Sequence, residues 1–305
     1  MIRFDNVGRT YEPLGGAPVR AVDAMSFTVA PGEVFGIAGP NGAGKSTMIS
    51  MLLGFLAPTT GTLTVAGMRP RDFVESEGIG YLSELVAIKP SWRTREAMIR
   101  FATLAGIPAA GVTARIAELN AMLGLEEHAT KRIKELSKGA LQRVALAQAL
   151  LADDVRVLVF DEPTHGLDPL WTQHFRELVP ALRRDDRAIV IASHNLDELE
   201  RLADRVAIVD RGKLVRIVEV RGGDSASSAV TRYRIAFRGD AATVRELFPG
   251  ATELARDQVE VTVTGLEELN RGLATLIARG VLVSSAAPSY SGLEEQFRQA
   301  VRSDG

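Results

Sequence analysis

A glycine-rich stretch at residues 39–47, GPNGAGKST, contains the residue types that bind phosphate groups. It matches the pattern G-x-x-x-x-G-K-[ST] and lies between a run typical of a strand and a run typical of a helix. Glycine lets the backbone turn several N–H groups toward one anion, and a helix N-terminus adds partial positive charge. Lysine reaches the β- and γ-phosphates, and the serine hydroxyl can bind Mg²⁺. The residues predicted to contact a nucleotide are Gly39, Pro40, Asn41, Gly42, Ala43, Gly44, Lys45, Ser46 and Thr47.

Two adjacent acids end an apolar run at residues 155–163, VRVLVFDEP. A buried strand would bring them to its carboxyl end, which is where open α/β sheets bind ligands. Asp161 is then placed to hold Mg²⁺, and Glu162 to accept a proton from an attacking water. The simpler interpretation is a pair of solvated acids at a strand end, but the phosphate-binding stretch favours the catalytic one.

The elements that must position these residues alternate between strands and helices up to about residue 220. Apolar runs such as VRVLVF and AIVIAS suit strands buried in a parallel sheet. Between about residues 86 and 150 the strand pattern disappears and helical runs replace it. The pattern predicts an α/β fold with a parallel or mixed sheet as its core and a helical insert.

The composition changes after residue 220. Residues 221–230, RGGDSASSAV, are small and polar and predict a linker. Residues 231–305 then follow the order β-α-β-α-β-α, which predicts a small accessory α/β domain. This part of the sequence has no histidine and no glycine-rich phosphate loop.

The overall composition excludes several classes of function. The 305 residues include 36 Lys and Arg against 38 Asp and Glu, so bulk electrostatic binding to nucleic acid or anionic lipid is not expected. There is no cysteine, which rules out disulfides and thiol chemistry. The sequence shows neither a signal-peptide pattern at its start nor an apolar window of membrane-spanning length. We expect a soluble cytoplasmic chain that contacts a membrane only through a partner.

The ordered stretches GPNGAGKST, LSKGALQR, VRVLVFDEP, THGLDP and IVIASHNLDELERLADRVAIVDRGK resemble the motif set of the ABC (ATP-binding cassette) ATPases. The resemblance covers about residues 1–220 and implies a P-loop nucleotide hydrolase fold. The remaining residues are similar to the accessory C-terminal module on cassette subunits of bacterial exporters of the drug-resistance and daunorubicin type. Their ending, SGLEEQFRQAV, is the least specific part of this similarity.

The resemblance implies roles for residues outside the phosphate loop. Tyr11 would stack on the adenine ring, and Asp168 in GLDP matches the loop that joins two cassettes. His194 matches the switch histidine that hydrogen-bonds the γ-phosphate and the attacking water. No metal-ligand spacing relates the other histidines, which are predicted to have ordinary structural roles: His128, His165 and His174.

LSKGALQR corresponds to the family motif that closes over the γ-phosphate bound to a second cassette. By that resemblance Ser137 would donate its hydroxyl, while the N–H of Gly139 and the helix N-terminus would supply positive charge. One chain would then carry two half-sites, and two ATP molecules would lie at a two-fold dimer interface. The predicted contact residues are Ser137, Lys138, Gly139 and Ala140.

This sequence departs from the usual family pattern at several positions. In the usual LSGGQ motif the places of Lys138 and Ala140 are taken by glycine and glutamine. The family's loop glutamine, which touches Mg²⁺ and couples to the membrane partner, falls at Glu84; a carboxylate is still a good Mg²⁺ ligand. His165 stands where Asn or Ser is common. The predicted metal ligands are Ser46, Glu84 and Asp161.

The leading interpretation is an ATP-hydrolysing subunit of a membrane transporter, an exporter, which forms a homodimer and binds a polytopic permease. Its cofactors would be ATP and Mg²⁺. A cassette acting on nucleic acid or ribosomes is the first alternative, but the chain has a single phosphate loop, no heptad run and no net positive charge. The second alternative is a regulatory module that binds ATP without turnover, which Glu84 and Ala140 leave open.

Overall fold

The protein is described by a computed structural model in which residues 1–220 and 231–288, with Leu293 and Phe297, can be described. These residues divide into two compact units, 1–220 and 231–288. The predicted linker at 221–230 lies outside the described residues. So does nearly all of the predicted last helix and of the SGLEEQFRQAV ending.

The first unit contains strands β1 to β9 and helices α1 to α7. The strands are β1 (Ile2–Tyr11), β2 (Val19–Val29), β3 (Val34–Ala38), β4 (Thr60–Val65), β5 (Gly80–Leu82), β6 (Val157–Asp161), β7 (Ala188–Ser193), β8 (Arg205–Asp210) and β9 (Lys213–Glu219). The helices are α1 (Lys45–Leu52), α2 (Pro70–Glu77), α3 (Thr94–Leu104), α4 (Ala109–Leu123), α5 (Lys138–Ala149), α6 (Pro169–Ala181) and α7 (Leu196–Leu202).

The main sheet has the strand order β5-β6-β7-β3-β8-β9. Neighbouring strands are parallel from β5 to β8, and β9 pairs with β8 in the antiparallel direction. Every residue of β3, β6 and β7 is buried, because both faces of a parallel sheet are covered and its strands are apolar throughout. The predicted mixed α/β sheet is confirmed.

A second, antiparallel sheet of the first unit has the order β2-β1-β4. Strand β1 was not predicted from the sequence. Its register with β2 shifts at several places, and Asn6 adopts a positive φ of 51°. These bulges break the alternation of apolar and polar residues on which a strand prediction depends. The short elements β5 and α2 were also absent from the sequence interpretation.

The segment between β5 and β6 is helical. Helices α3, α4 and α5 pack against one another, and α5 also contacts β5. Two single 3-10 turns, Glu126–His128 and Ile133–Glu135, connect α4 to α5. This packing fixes the start of α5, the helix that LSKGALQR opens, relative to the main sheet.

The second unit contains β10 (Thr231–Arg238), α8 (Ala241–Leu247), β11 (Thr252–Ala255), β12 (Gln258–Val263), α9 (Leu266–Ala278) and β13 (Leu282–Pro288). Its antiparallel sheet has the order β11-β12-β10-β13, which is the ferredoxin-like arrangement of a split β-α-β motif. The order β-α-β-β-α-β differs from the prediction by the extra strand β11. All residues of β11 are exposed, so this strand carries no apolar signal in the sequence.

Among the described residues, no helix combines the length and the apolar character needed to cross a lipid bilayer.

Candidate functional site

The glycine-rich stretch forms the loop between β3 and the N-terminus of α1. Two of its glycines adopt positive φ angles, 83° at Gly42 and 103° at Gly44. A Cβ at Gly44 would lie 2.4 Å from the carbonyl oxygen of Ala21, and one at Gly39 would lie 2.4 Å from that of Val209. At Gly39 and Gly44 a side chain would collide with a neighbouring carbonyl oxygen, so the loop needs glycine at these two positions. At Gly44 the positive φ angle is a second reason for glycine.

Lys45 is the first residue of α1, and its side chain turns back over the loop. Its Nζ donates to the carbonyl oxygens of Gly39, at 2.6 Å, and Pro40, at 3.3 Å. Although charged, Lys45 is only 7% exposed, so these bonds compensate for lost hydration. The ammonium group is thus held at the centre of the loop, where an anionic ligand would meet it.

Tyr11, the last residue of β1, lies beside the same loop. Its hydroxyl is 3.4 Å from Oγ1 of Thr47, and the guanidinium of Arg9 lies 5.1 Å from the centre of its ring. Asn41, Gly42 and Ser46 are exposed at the surface of the loop, while Ala43 is buried beneath it. The structure therefore brings Tyr11 close to the predicted phosphate-binding residues.

Asp161 ends β6 at the carboxyl edge of the main sheet and is 6% exposed. Burial, with smaller contributions from the charges of Glu84 and Glu162, raises the pKa of the Asp161 carboxyl to about 6, while Lys45 acts in the opposite direction. The charges of two other acids thus act on this buried carboxyl, and Lys45 opposes them. A divalent cation would offset this negative charge, so the donor set fits Mg²⁺.

The residues that would hold such a cation are Ser46, Glu84 and Asp161. No group of three or more His, Asp or Glu side chains among the described residues has the arrangement of a preformed metal site. Mg²⁺ is usually bound by one or two carboxylates together with the phosphates of a nucleotide, so these residues would form a complete site only with the nucleotide present.

Glu162 follows β6 and meets residues that follow the neighbouring strand β7. Its Oε1 accepts a hydrogen bond from the backbone N–H of His194, at 2.9 Å, and lies 2.8 Å from Nδ1 of the same residue. Its Oε2 accepts a bond from the hydroxyl of Ser193, at 3.1 Å. Because β6 and β7 are parallel neighbours, residues that end them come together. The carboxylate is oriented at both oxygens, as a general base requires.

The backbone of Glu162 adopts a positive φ of 49°, which is uncommon for any residue other than glycine. Its N–H donates to the carbonyl oxygen of Ala192, at 2.9 Å, so the bend is fixed by the adjacent strand. Strain of this kind costs on the order of 1–3 kcal/mol and occurs often at functional sites. Here it turns the Glu162 side chain toward His194.

A second buried acid, Glu198 on α7, lies behind this pair. It is fully buried; its Oε2 accepts a bond from the Thr164 hydroxyl at 2.7 Å and lies 3.5 Å from Oγ of Ser193. Its Oε1 has no hydrogen-bond partner among the described residues. The sequence N-L-D-E at Asn195–Glu198 suggests a capping box, in which this carboxylate would bond the N-cap N–H. Instead, the N–H of Asn195 donates to Ser193, and the Glu198 side chain turns inward.

We expect the buried carboxyl of Glu198 to make the free energy of unfolding depend on pH. Burial, reinforced by the nearby charge of Glu162, raises the pKa of its carboxyl above the usual 4.5, against the bond from Thr164 and the charge of Arg176. The folded chain then binds this proton more tightly than the unfolded chain does. Its contribution to stability is complete below about pH 4.5 and is lost as the pH rises through the folded-state pKa.

The variant Glu198→Gln should remove this loss. Its free energy of unfolding, measured by urea titration at a series of pH values, should improve relative to the unchanged chain as the pH rises from 4 to 8. A difference between the two chains that stays constant over that range would contradict the assignment.

LSKGALQR forms the N-terminus of α5, as its pattern indicated. Ser137 is the N-cap, and its Oγ accepts a bond from the N–H of Ala140, at 3.2 Å. Ala140 is buried, so its side chain packs into the unit instead of facing outward. The bonds and ion pairs of the described residues do not connect Ser137 to the phosphate loop of its own chain.

Asp168 is the N-cap of α6 and accepts a bond from the N–H of Trp171, at 2.9 Å. The sequence interpretation assigned Asp168 to a loop between cassettes; within this chain its carboxylate stabilises a helix start. His174 lies 2.9 Å from the carbonyl oxygen of Met122, in agreement with an ordinary structural role.

Sequence reasoning missed Glu198, Thr164 and the contacts of His165. The signal for Glu198 was present as an acid in the first turn of a helix, but such acids usually face solvent. His165 was interpreted as ordinary because it has no metal-ligand spacing. Its neighbours in space, Glu84 and Lys138, come from distant parts of the chain.

Comparison with known proteins shows which family shares these features. A family model described as ABC transporter matches residues 22–165. The chain is 35% identical over 240 residues to the Nod factor export ATP-binding protein I of Rhizobium etli, a match that covers 73% of this chain and 74% of that protein. It is also 38% identical over 223 residues to the methionine import ATP-binding protein MetN of Xanthomonas campestris, covering 70% of this chain and 66% of that one.

Solved structures show the same fold. The dimeric structure of MJ0796, a bacterial ABC transporter cassette, matches with a TM-score of 0.67 and 25% identity, covering 73% of this chain and all of that one. A dimeric post-hydrolysis state of the same cassette, bound to ADP and Pi, has a TM-score of 0.67 at 24% identity and shows likeness of fold.

Proposed function

The chain belongs to the ABC transporter family as an ATP-binding subunit with ATPase activity, and from that premise we propose that it powers export. Similar proteins include both an export and an import subunit, so family membership leaves the direction open. The exporter assignment rests on the C-terminal unit, whose sequence is similar to the accessory module of exporter cassettes. We propose residues 1–220 as the cassette and 231–305 as that accessory domain.

The observation that carries the proposed mechanism is the position of Glu162. Its carboxylate, oriented by Ser193 and His194, lies at the carboxyl edge of the sheet that also presents the phosphate loop. In this mechanism the loop and Lys45 bind the phosphates, Tyr11 stacks on the base, and Glu162 accepts a proton from the attacking water. The ring of His194 hydrogen-bonds the terminal phosphate and keeps that water in line.

Mg²⁺, held by Ser46, Glu84 and Asp161, would neutralise developing phosphate charge when bound. The protein's part is to present these oxygens at the carboxyl edge of the sheet and to keep Asp161 close enough to Lys45 for its charge to act on the carboxyl. The carboxyl of Asp161 must be ionised to act as a ligand, and approach of a cation favours that form.

We further propose that two copies of the chain assemble into a homodimer with ATP at the interface. Each copy would add Ser137, Lys138, Gly139 and Ala140 to the site of the other, with Asp168 in the loop between them. This arrangement accounts for a signature helix that makes no bond to its own phosphate loop. The pair would act on the inner face of the cell membrane and contact it only through a polytopic permease.

The experiment is reconstitution of the full chain with its permease in proteoliposomes. We expect the two proteins to copurify and Mg-ATP hydrolysis to rise when transported substrate is on the same side of the bilayer as the cassette. Stimulation only by substrate on the opposite side would indicate import. Hydrolysis without copurification of any membrane protein would contradict a role in transport.

A further inference from the structure

Three residues at which this sequence departs from the family pattern lie next to one another in the structure. Nζ of Lys138 is 3.3 Å from Nε2 of His165, and Nδ1 of the same ring is 3.7 Å from Oε1 of Glu84. They come from three segments: the first residue of α5, the loop after β6 and the loop after β5. We name these residues the charge relay.

The chemistry of the three groups determines how they fit together. Lysine has only donors and an ionised carboxylate has only acceptors, whereas a neutral imidazole has one of each. If the ring is neutral, Lys138 can donate only to an unprotonated Nε2, and the proton then lies on Nδ1, the atom that faces Glu84. In this tautomer a neutral His165 is polarised between a cation and an anion, and both contacts are favourable. At 3.7 Å, Nδ1 and Oε1 are too far apart for a direct hydrogen bond, so this contact is electrostatic.

Packing directs Lys138 toward this relay. The stem of its side chain crosses Gly166, where an added Cβ would lie 2.5 Å from Cε and 2.7 Å from Cδ of Lys138. Gly139 also packs against this loop, since its own added Cβ would lie 3.5 Å from the carbonyl oxygen of Gly166. The contacts with Gly166 thus fix the path of the Lys138 side chain.

Relative to the family pattern, Glu84 and Lys138 add charges of opposite sign, which cancel. A glutamate in place of glutamine adds one negative charge beside Asp161, and its effect on that carboxyl is the largest after burial. A lysine in place of glycine adds one positive charge, and the ring of His165 lies between that charge and the glutamate. Either substitution by itself would change the net charge near the phosphate site.

We propose that Lys138, His165 and Glu84 act as one compensated positioning unit, which holds the loop after β5, and with it Glu84, against the start of α5. The three substitutions then depend on one another. Through its effect on hydrolysis this inference rests on the proposed function, and a measurement that needs no hydrolysis separates the two.

That measurement is the tautomer of His165 in the full ¹⁵N-labelled chain at pH 8, observed by long-range ¹H–¹⁵N correlation. The signal is assigned by its loss in His165→Asn. We expect the proton on Nδ1 in the unchanged chain, and a shift toward the Nε2–H form in Lys138→Gln. The control Lys134→Gln removes the same charge from a nearby position outside the relay and should leave the tautomer unchanged. An Nε2–H ring in the unchanged chain would overturn the proposal.

The second measurement is a double-mutant cycle on kcat/KM for Mg-ATP hydrolysis. Lys138→Gln should change this ratio about two- to fivefold while Glu84 is present, the size expected for partly exposed charge pairs. In the Glu84→Gln background the same substitution should have a smaller effect, because the part of the effect that depends on Glu84 is gone. An equal fold-change in both backgrounds would overturn the proposal. Absence of hydrolysis in the unchanged chain would contradict the proposed function and leave the tautomer result standing by itself.

Discussion

Replacing Glu162 by glutamine is expected to lower the rate of ATP hydrolysis by about 10²–10⁴-fold, the usual contribution of a positioned general base. The amide has nearly the same shape: its oxygen can accept the bond from the N–H of His194, and its NH₂ can donate to the Ser193 hydroxyl, but it cannot take a proton from water. ATP binding should persist, because the phosphate loop and Lys45 are unaffected. Phosphate release and the binding of a fluorescent ATP analogue measure the two effects separately.

A matched control for this change is Glu127→Gln, which removes one carboxylate from an exposed 3-10 turn of the same unit. We expect the control to hydrolyse ATP at the rate of the unchanged chain. If Glu162→Gln did the same, the base would have to be another group. If Glu162→Gln failed to bind ATP, the effect of this substitution could not be assigned to proton transfer.

Replacing Ser137 by aspartate should abolish ATP-driven pairing of two chains while α5 remains capped. Asp and Ser are about equally good N-caps, so the bond to the N–H of Ala140 has a replacement acceptor. In the proposed dimer, however, this side chain faces the terminal phosphate bound to the other chain. A carboxylate there repels the phosphate and removes a donor, and loss of one such donor typically lowers kcat on the order of 10²–10³-fold.

Light scattering after size exclusion, in the slow Glu162→Gln background, measures the dimer with and without ATP. Ser137→Ala is the companion variant: it loses the cap, at about 1 kcal/mol of stability, but adds no charge. In chains that keep Glu162, Ser137→Ala should therefore reduce hydrolysis less than Ser137→Asp does. An aspartate variant that pairs normally, or an alanine variant that hydrolyses at full rate, would contradict the assignment of this helix to a partner's site.

The fold was predicted best where physical constraints are local. The uninterrupted apolar runs of β6 and β7 indicated a buried parallel sheet, and that prediction is confirmed. Strand β1 escaped prediction because its bulges break the alternating pattern, and β11 because all its residues are exposed. Both are strands through pairing with neighbours, which is a property of the tertiary fold.

For the candidate site, residue types and spacing alone predicted the phosphate loop, since a glycine-rich bend before a helix directs backbone N–H groups and partial positive charge at an anion. They also placed Asp161 and Glu162 at a strand end. Only the tertiary structure decided that Glu162 meets His194 and Ser193, and that Glu198 lies buried behind them. It alone joined Lys138, His165 and Glu84. The reason is physical: local sequence sets backbone shape over a few residues, whereas contacts between charged side chains distant in sequence depend on how the sheet and helices pack.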